Sequence, residues 1–199
     1  MLLWSNIAKI YTTHWLISFL ISFIISASFY RFIYKMILII CKKIIFLKRW
    51  ALGGFYFEGL WIGYYTVDGQ KIYYYEIFKQ DMEELKIIGE SFDASNAPCE
   101  TWTILHPNIL IDESKMTYYY ELNDSASADI ILGYSSGTIY FDDNHFPNRL
   151  VGFAVDSYSS EKQPYVSKKI DLKNYQGSQA DWINSHFFVE VHKLSDNII

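Results

Sequence analysis

The sequence predicts an N-terminal transmembrane α segment followed by an all-β antiparallel up-and-down barrel of eight strands, with a short C-terminal helix. Three observations lead there: a charge-free apolar run near the N-terminus, a switch to period-two alternation at Phe55, and a series of β-forming stretches separated by turn residues. At 199 residues the chain suits one globular domain plus an appendage. We divide it into a membrane region, residues 1–50, and a barrel domain, residues 51–199.

Charge follows the same division. Residues 1–50 hold seven bases (Lys9, Arg31, Lys35, Lys42, Lys43, Lys48, Arg49) and no acid, so the remaining 149 residues carry all 22 acids against ten bases, a net −12. That acidic part excludes a general DNA or RNA binder, which needs a broad basic face. The two cysteines, Cys41 and Cys99, form no disulfide framework or metal-ligand cluster, as expected of a reducing compartment.

Residues 10–30 are 21 uncharged positions between Lys9 and Arg31, about 31 Å of helix, which matches a bilayer core. Trp15 and Tyr30 stand where interfacial anchors belong. A cleaved signal peptide ending near Ser26-Ala27-Ser28 would have a shorter apolar region, about 7–15 residues, and a basic lead-in. Residues 32–47, about 24 Å as helix, are expected as a second short span or as a basic interfacial helix, with Lys35, Lys42 and Lys43 close enough to the ends to snorkel. Arg31, Lys35, Lys42 and Arg49 fall within about 40° of one another on a helix, one basic stripe for anionic headgroups or an aqueous lumen. No Gly, Pro or Asn separates the two segments, so no tight hairpin turn is signalled. Lys42, Lys43, Lys48 and Arg49 precede the barrel domain and place it in the cytosol. His14, Ser18, Ser22 and Ser26 recur every four residues, a small-residue face for helix association or for serines bonding back to their own helix.

From Phe55 one strand face carries Phe55, Phe57, Gly59, Trp61, Gly63 and Tyr65, and the other Tyr56, Glu58, Leu60, Ile62, Tyr64 and Thr66. Asp68-Gly69 signals a tight turn into the strand 71–79, which contains Tyr74. Further strands are expected at 84–92, 100–106, 116–122, 131–142, 150–157 and 165–173, with turns at 94–98, 107–108, 123–126, 143–148 and 158–164. An even number of locally connected strands lets first and last pair, favouring a barrel over an open sandwich. Ser178 and Asp181 resemble a capping box, and Ile183, Phe187, Val191 and Leu194 then share a helical face, although Phe187, Val189 and Val191 also alternate as in a strand.

Gly59-x-Trp61-x-Gly63-Tyr64 opening a strand is similar to lipocalin-type barrels, in which the Trp plugs the closed end. The order of two hydrophobic segments, this motif, the 116–122 strand with Tyr120, Gly137-Thr138-Ile139-Tyr140-Phe141, then Leu150-Val151-Gly152-Phe153 and Asp156 resembles the two-transmembrane, β-strand-rich effectors of bacterial cyclic-nucleotide (CBASS) anti-phage defence. The resemblance covers nearly the whole chain. It implies a barrel that senses a cyclic dinucleotide, homo-oligomerises and damages the inner membrane. The short, basic second segment departs from that family's two-span pattern.

A cyclic dinucleotide offers two bases for stacking, about 1–3 kcal/mol each on aromatics, and two phosphates that need close cations. Trp61, Tyr74 and Tyr120 are the expected stacking residues, with core packing the competing role for Trp61. Arg149, the only arginine after residue 50, suits a phosphate or a surface pair with Asp142 or Asp143. Lys168 and Lys169 are adjacent, so one must point inward. An alternative reading is a membrane-tethered barrel carrying a fatty acid; a third is an anchor without ligand. No catalytic constellation is expected: Asp142-Asp143-Asn144-His145 reads as a solvated turn rather than a metal site, Ser135-Ser136-Gly137 lacks the setting of a nucleophile elbow, and His106 and His186 have no sequence-visible partner. No cofactor is expected.

Overall fold

The computed structural model describes residues 2–105, 107–124, 130–157, 161–172 and 175–196, with the backbone alone for 2–13, 105 and 124. His106, Lys173 and the turn residues 125–126 and 158–160 lie outside the described residues. The chain divides into two compact units, Met1–Lys48 and Arg49–Ile199.

In the first unit α1 (Leu2–Lys43) is a single helix, and α2 begins directly after it (Ile45–Leu52). The amides of Ile44 and Lys48 donate to the carbonyls of Ile40 and Ile44 at 3.0 Å, so the helical ladder carries through the junction. The helix is unbroken at residues 30–32, where a two-span hairpin would have to turn. The cause is visible in composition: nothing there stops a helix. Over His14–Lys43, 30 residues and about 45 Å, it is long and apolar enough to cross a membrane. His14, Ser18, Ser22 and Ser26 are exposed along one helix, as are Arg31, Lys35 and Lys42. Arg49 belongs to the second unit, its guanidinium 4.7 Å from the Phe146 ring and 5.4 Å from Tyr56.

The second unit is a closed antiparallel barrel. Its strands are β1 (Gly59–Val67), β2 (Gln70–Gln80), β3 (Leu85–Phe92), β4 (Pro98–Leu105), β5 (Asn108–Leu110), β6 (Lys115–Asp124), β7 (Ile130–Phe141), β8 (Pro147–Asp156) and β9 (Gln163–Lys169). Neighbours in sequence pair around the wall, β1 pairs with β9, and β4 pairs with β6, which closes an eight-stranded cylinder with β5 as an addition. β5 begins at Asn108, inside the turn expected at 107–108, and runs two residues beyond it. β4 pairs only with residues 121–124 of β6, leaving an open edge lower down, and β5 covers that edge at Lys115, Met116 and Thr117. Asp68 (φ 51°) and Gly69 (φ 78°) make the two-residue hairpin turn that the sequence announces.

β1 starts later than the alternation suggested. Gly53–Phe55 forms a 3-10 turn, and Gly59, at φ 137°, bends the chain into the strand. Phe57 nevertheless turns inward and, with Trp61 and Phe78, fills the lower end of the barrel among Leu85, Ile87, Ile104, Met116, Ile139 and Leu150. The Trp61 ring N–H donates to the Phe57 carbonyl at 3.0 Å, which satisfies its one polar atom inside an apolar plug.

α3 (Gln179–Asp196) covers the outside of β1 and β2. Leu60, Ile62 and Tyr73 bury their outward side chains against Trp182, Phe187 and Val191, so β1 is buried on both faces. Helical spacing wins over strand alternation because Val189 is 57% exposed between buried Phe187 and Val191. The capping box forms: Ser178 N donates to Asp181 Oδ2 at 2.8 Å, and Asp181 N to Ser178 Oγ at 3.2 Å.

Candidate functional site

Above the apolar plug the lumen is not filled. The inward positions of β1, β2, β4, β6, β7, β8 and β9 there are Tyr65, Tyr74, Glu76, Glu100, Trp102, Tyr118, Tyr120, Ser135, Asp156, Gln163 and Tyr165, which with Leu122 and Ala154 line a cavity. Its volume is about 60 Å³, enough to hold water.

The space exists because the aromatics lie flat against the wall. A side-chain carbon on Gly89 would fall 2.1 Å from the Trp102 ring, and one on Gly133 would fall 2.1 Å from the Tyr120 ring. Each glycine is the cross-strand partner of the ring that covers it. Tyr74 lies over Gly63 and the Tyr165 hydroxyl over Gly137 in the same way. Glycine in mid-strand weakens a sheet, and the close approach of a ring gives these four positions their use.

Polar groups in the cavity are joined to one another. Trp102 donates its ring N–H to Glu76 Oε1 at 3.0 Å, and Tyr65 donates to Glu100 Oε2 at 2.7 Å. Ser135 donates to the Tyr165 hydroxyl at 3.2 Å, and Gln163 donates to Asp156 Oδ2 at 2.8 Å. Burial is the main cause of every titration shift here. It pushes Glu76 up to about 7 against the lowering effect of the Trp102 bond, so near neutrality this carboxyl is close to half protonated. Burial also raises Tyr165 to about 12 and lifts Tyr65, Tyr74 and Tyr118 well above 10, so these phenols keep their protons.

Of the six residues expected to bind ligand, the fold brings two, Tyr74 and Tyr120, to the cavity wall. Trp61 sits in the plug, fully buried. Lys169 is the inward member of its pair but lies at the plugged end, where its ammonium donates to the Tyr56 carbonyl at 3.2 Å and stands 4.7 Å from the Tyr56 ring. Burial, then nearby Arg49, lowers Lys169 to about 8. Lys168 is exposed and Arg149 is its direct cross-strand neighbour on the outer wall, with the guanidinium 5.7 Å from the Tyr140 ring. Register is the reason: Arg149 pairs with Tyr140 and Lys168 with Ile62, both outward residues. Among the described residues the cavity lining holds three carboxylates and no Lys or Arg. Asp142 organises a turn, accepting from the amides of Asn144 and Phe146 at 2.9 Å.

Sequence reasoning missed Glu76, Glu100, Asp156, Tyr65, Trp102, Tyr118 and Tyr165. The signal that finds them is parity: once Trp61 is inward, register carries the inward face strand by strand to each of them.

Fold and site together define a class: an eight-stranded antiparallel barrel with an aromatic, acidic cavity in a chain whose N-terminal helix is long enough to cross a membrane. Neither a scan of known protein-family models nor a comparison with curated proteins gives a match.

Proposed function

We propose that this protein is a membrane-anchored sensor and effector, in which the barrel takes up one base of a cyclic dinucleotide and the liganded protein self-associates and breaches the bilayer. In this reading it acts at a bacterial inner membrane, with the barrel in the cytosol, as an arm of CBASS-type anti-phage signalling. It is a binding protein rather than an enzyme, and its partners are the nucleotide, the lipid and further copies of itself. The observation that carries the reading is the aromatic-walled cavity above the Trp61 plug, on a chain that also has an apolar helix of membrane length.

In this reading a single base meets the aromatic lining, with the phosphates remaining outside in water. The cavity's chemistry disfavours the alternative of a fatty acid, since Glu76, Glu100 and Asp156 line it and a fatty carboxylate would meet no cation among the described lining residues. The test uses the full chain in dye-loaded liposomes. Cyclic dinucleotide should bind and release dye, and Ala154→Leu, which adds bulk at the cavity wall, should lose both while its thermal melt stays close to the parent's. Binding of palmitate but of no cyclic dinucleotide would overturn the proposal.

A further inference from the structure

The cavity also has the chemistry of a cation site, an inference that goes beyond the sensor reading and stands without it. Glu76, a lining residue, is only 3% exposed. Its Oε1 accepts the Trp102 ring N–H at 3.0 Å, and among the described residues no donor reaches Oε2. Oε2 is not sealed into the wall either, because among the described residues the one enclosed side-chain polar atom without a partner is Arg149 Nε. The free oxygen therefore meets the cavity space. Tyr74, Tyr118 and Tyr165 stand close enough to feel the charge of Glu76, and none of them can neutralise it. Burial raises this carboxyl to about 7, as expected where an acid is desolvated with no positive neighbour.

We propose that a primary ammonium group, the end of a small alkylamine, enters the cavity and donates to Glu76 Oε2 between the faces of the aromatic rings. The head fits by size, since an ammonium group has about the bulk of the water that the cavity can hold. It carries three donors and no acceptor, and the phenol oxygens of Tyr118 and Tyr165 accept as well as donate. Tyr74, Trp102 and Tyr120 lie flat over Gly63, Gly89 and Gly133, so they turn the negative faces of their rings to the lumen, where a desolvated cation is attracted. A bound ammonium supplies the partner that an ionised, buried Glu76 lacks. No Lys or Arg competes among the described lining residues, and the −12 charge of residues 51–199 draws cations from a distance. Amine and base contend for one space, which makes the amine a competitor of the signal.

The test titrates the full chain in uncharged detergent with n-butylammonium chloride and with sodium butyrate, by calorimetry at fixed ionic strength. Butylammonium should bind once per chain and butyrate should not bind. Glu76→Gln keeps the acceptor for Trp102 and removes the charge, so it should weaken butylammonium at least about tenfold, the scale of one charge-assisted hydrogen bond. Glu121→Gln removes a charge from an exposed position and should leave the affinity unchanged. No binding of butylammonium overturns the inference, as does equal binding by Glu76→Gln or an equal loss in Glu121→Gln, which would mark a diffuse charge effect. A cyclic dinucleotide titrated in the same series separates the two readings. Dinucleotide binding without amine binding overturns this inference alone, and amine binding without dinucleotide binding supports it and removes the sensor reading. Where both bind, saturating butylammonium should weaken the dinucleotide, and independent binding overturns the shared site.

Discussion

Glu76 is the residue at which burial and charge conflict most. Its folded-state pKa, about 7, lies above the 4.5 of an exposed glutamate, so the folded barrel holds this proton more tightly than the unfolded chain does. Stability is therefore greatest below pH ~4.5, declines as pH rises to ~7 and then levels off at the full cost of a buried charge. At ~1.4 kcal/mol per unit the cost is of order 3–4 kcal/mol. Glu76→Gln keeps the acceptor for Trp102 and removes the charge, so at pH 8 it should melt several degrees above the parent, and at pH 4.5 the two should coincide. Thermal melts of both proteins at the two pH values check this, and coincident melts at pH 8 would contradict the assignment. The aromatic slot rests on residue-scale detail too. Gly89 and Gly133 were visible in the sequence as mid-strand glycines, but which ring lies over each follows only from the register.

At the scale of elements, α1 carries the clearest message from composition. Its apolar length, basic C-terminal end and lack of a helix breaker all appear in the sequence, and the unbroken helix follows from them. The small-residue face of Ser18, Ser22 and Ser26 gives the effector reading its element-level test, because small side chains let two backbones approach in lipid, where close packing drives association. Replacing all three by Leu should leave membrane insertion and ligand binding intact and abolish dye release from liposomes. Unchanged release would remove this face as the contact. The strands were legible through period two and turn residues, to within a few positions at each end. β5 was not, because it has no pattern of its own: it forms where the stagger of β4 on β6 leaves an unpaired edge. α3 was readable from its capping box, and its choice of helix over strand comes from the apolar outer face of β1 that it covers.

For the whole molecule, charge sets how a ligand arrives. Residues 51–199 carry −12, and a cyclic dinucleotide is a dianion, so their long-range interaction is repulsive. Binding by stacking and base-edge contacts must overcome that repulsion, which added salt screens. Affinity for a cyclic dinucleotide should therefore rise a few-fold between ~0.02 and ~0.3 M salt, as the screening length shortens from about twenty ångströms to less than ten. A site built on phosphate-binding cations would lose affinity over the same range. Calorimetry at the two salt concentrations decides between them.

The sequence by itself determined the apolar helix, the acidic barrel and the even count of wall strands, because each follows from local periodicity, turn chemistry and the placement of charge along the chain. Only the tertiary structure decided what lines the lumen. A strand of period two has two faces that look alike until its neighbours and its cover are known, and closure of β1 on β9 together with α3 outside β1 settled which face looks in. That choice sent Arg149 and Lys168 outward, drew Lys169 down to the plug, and left tyrosines, Trp102 and three carboxylates around the one open space described.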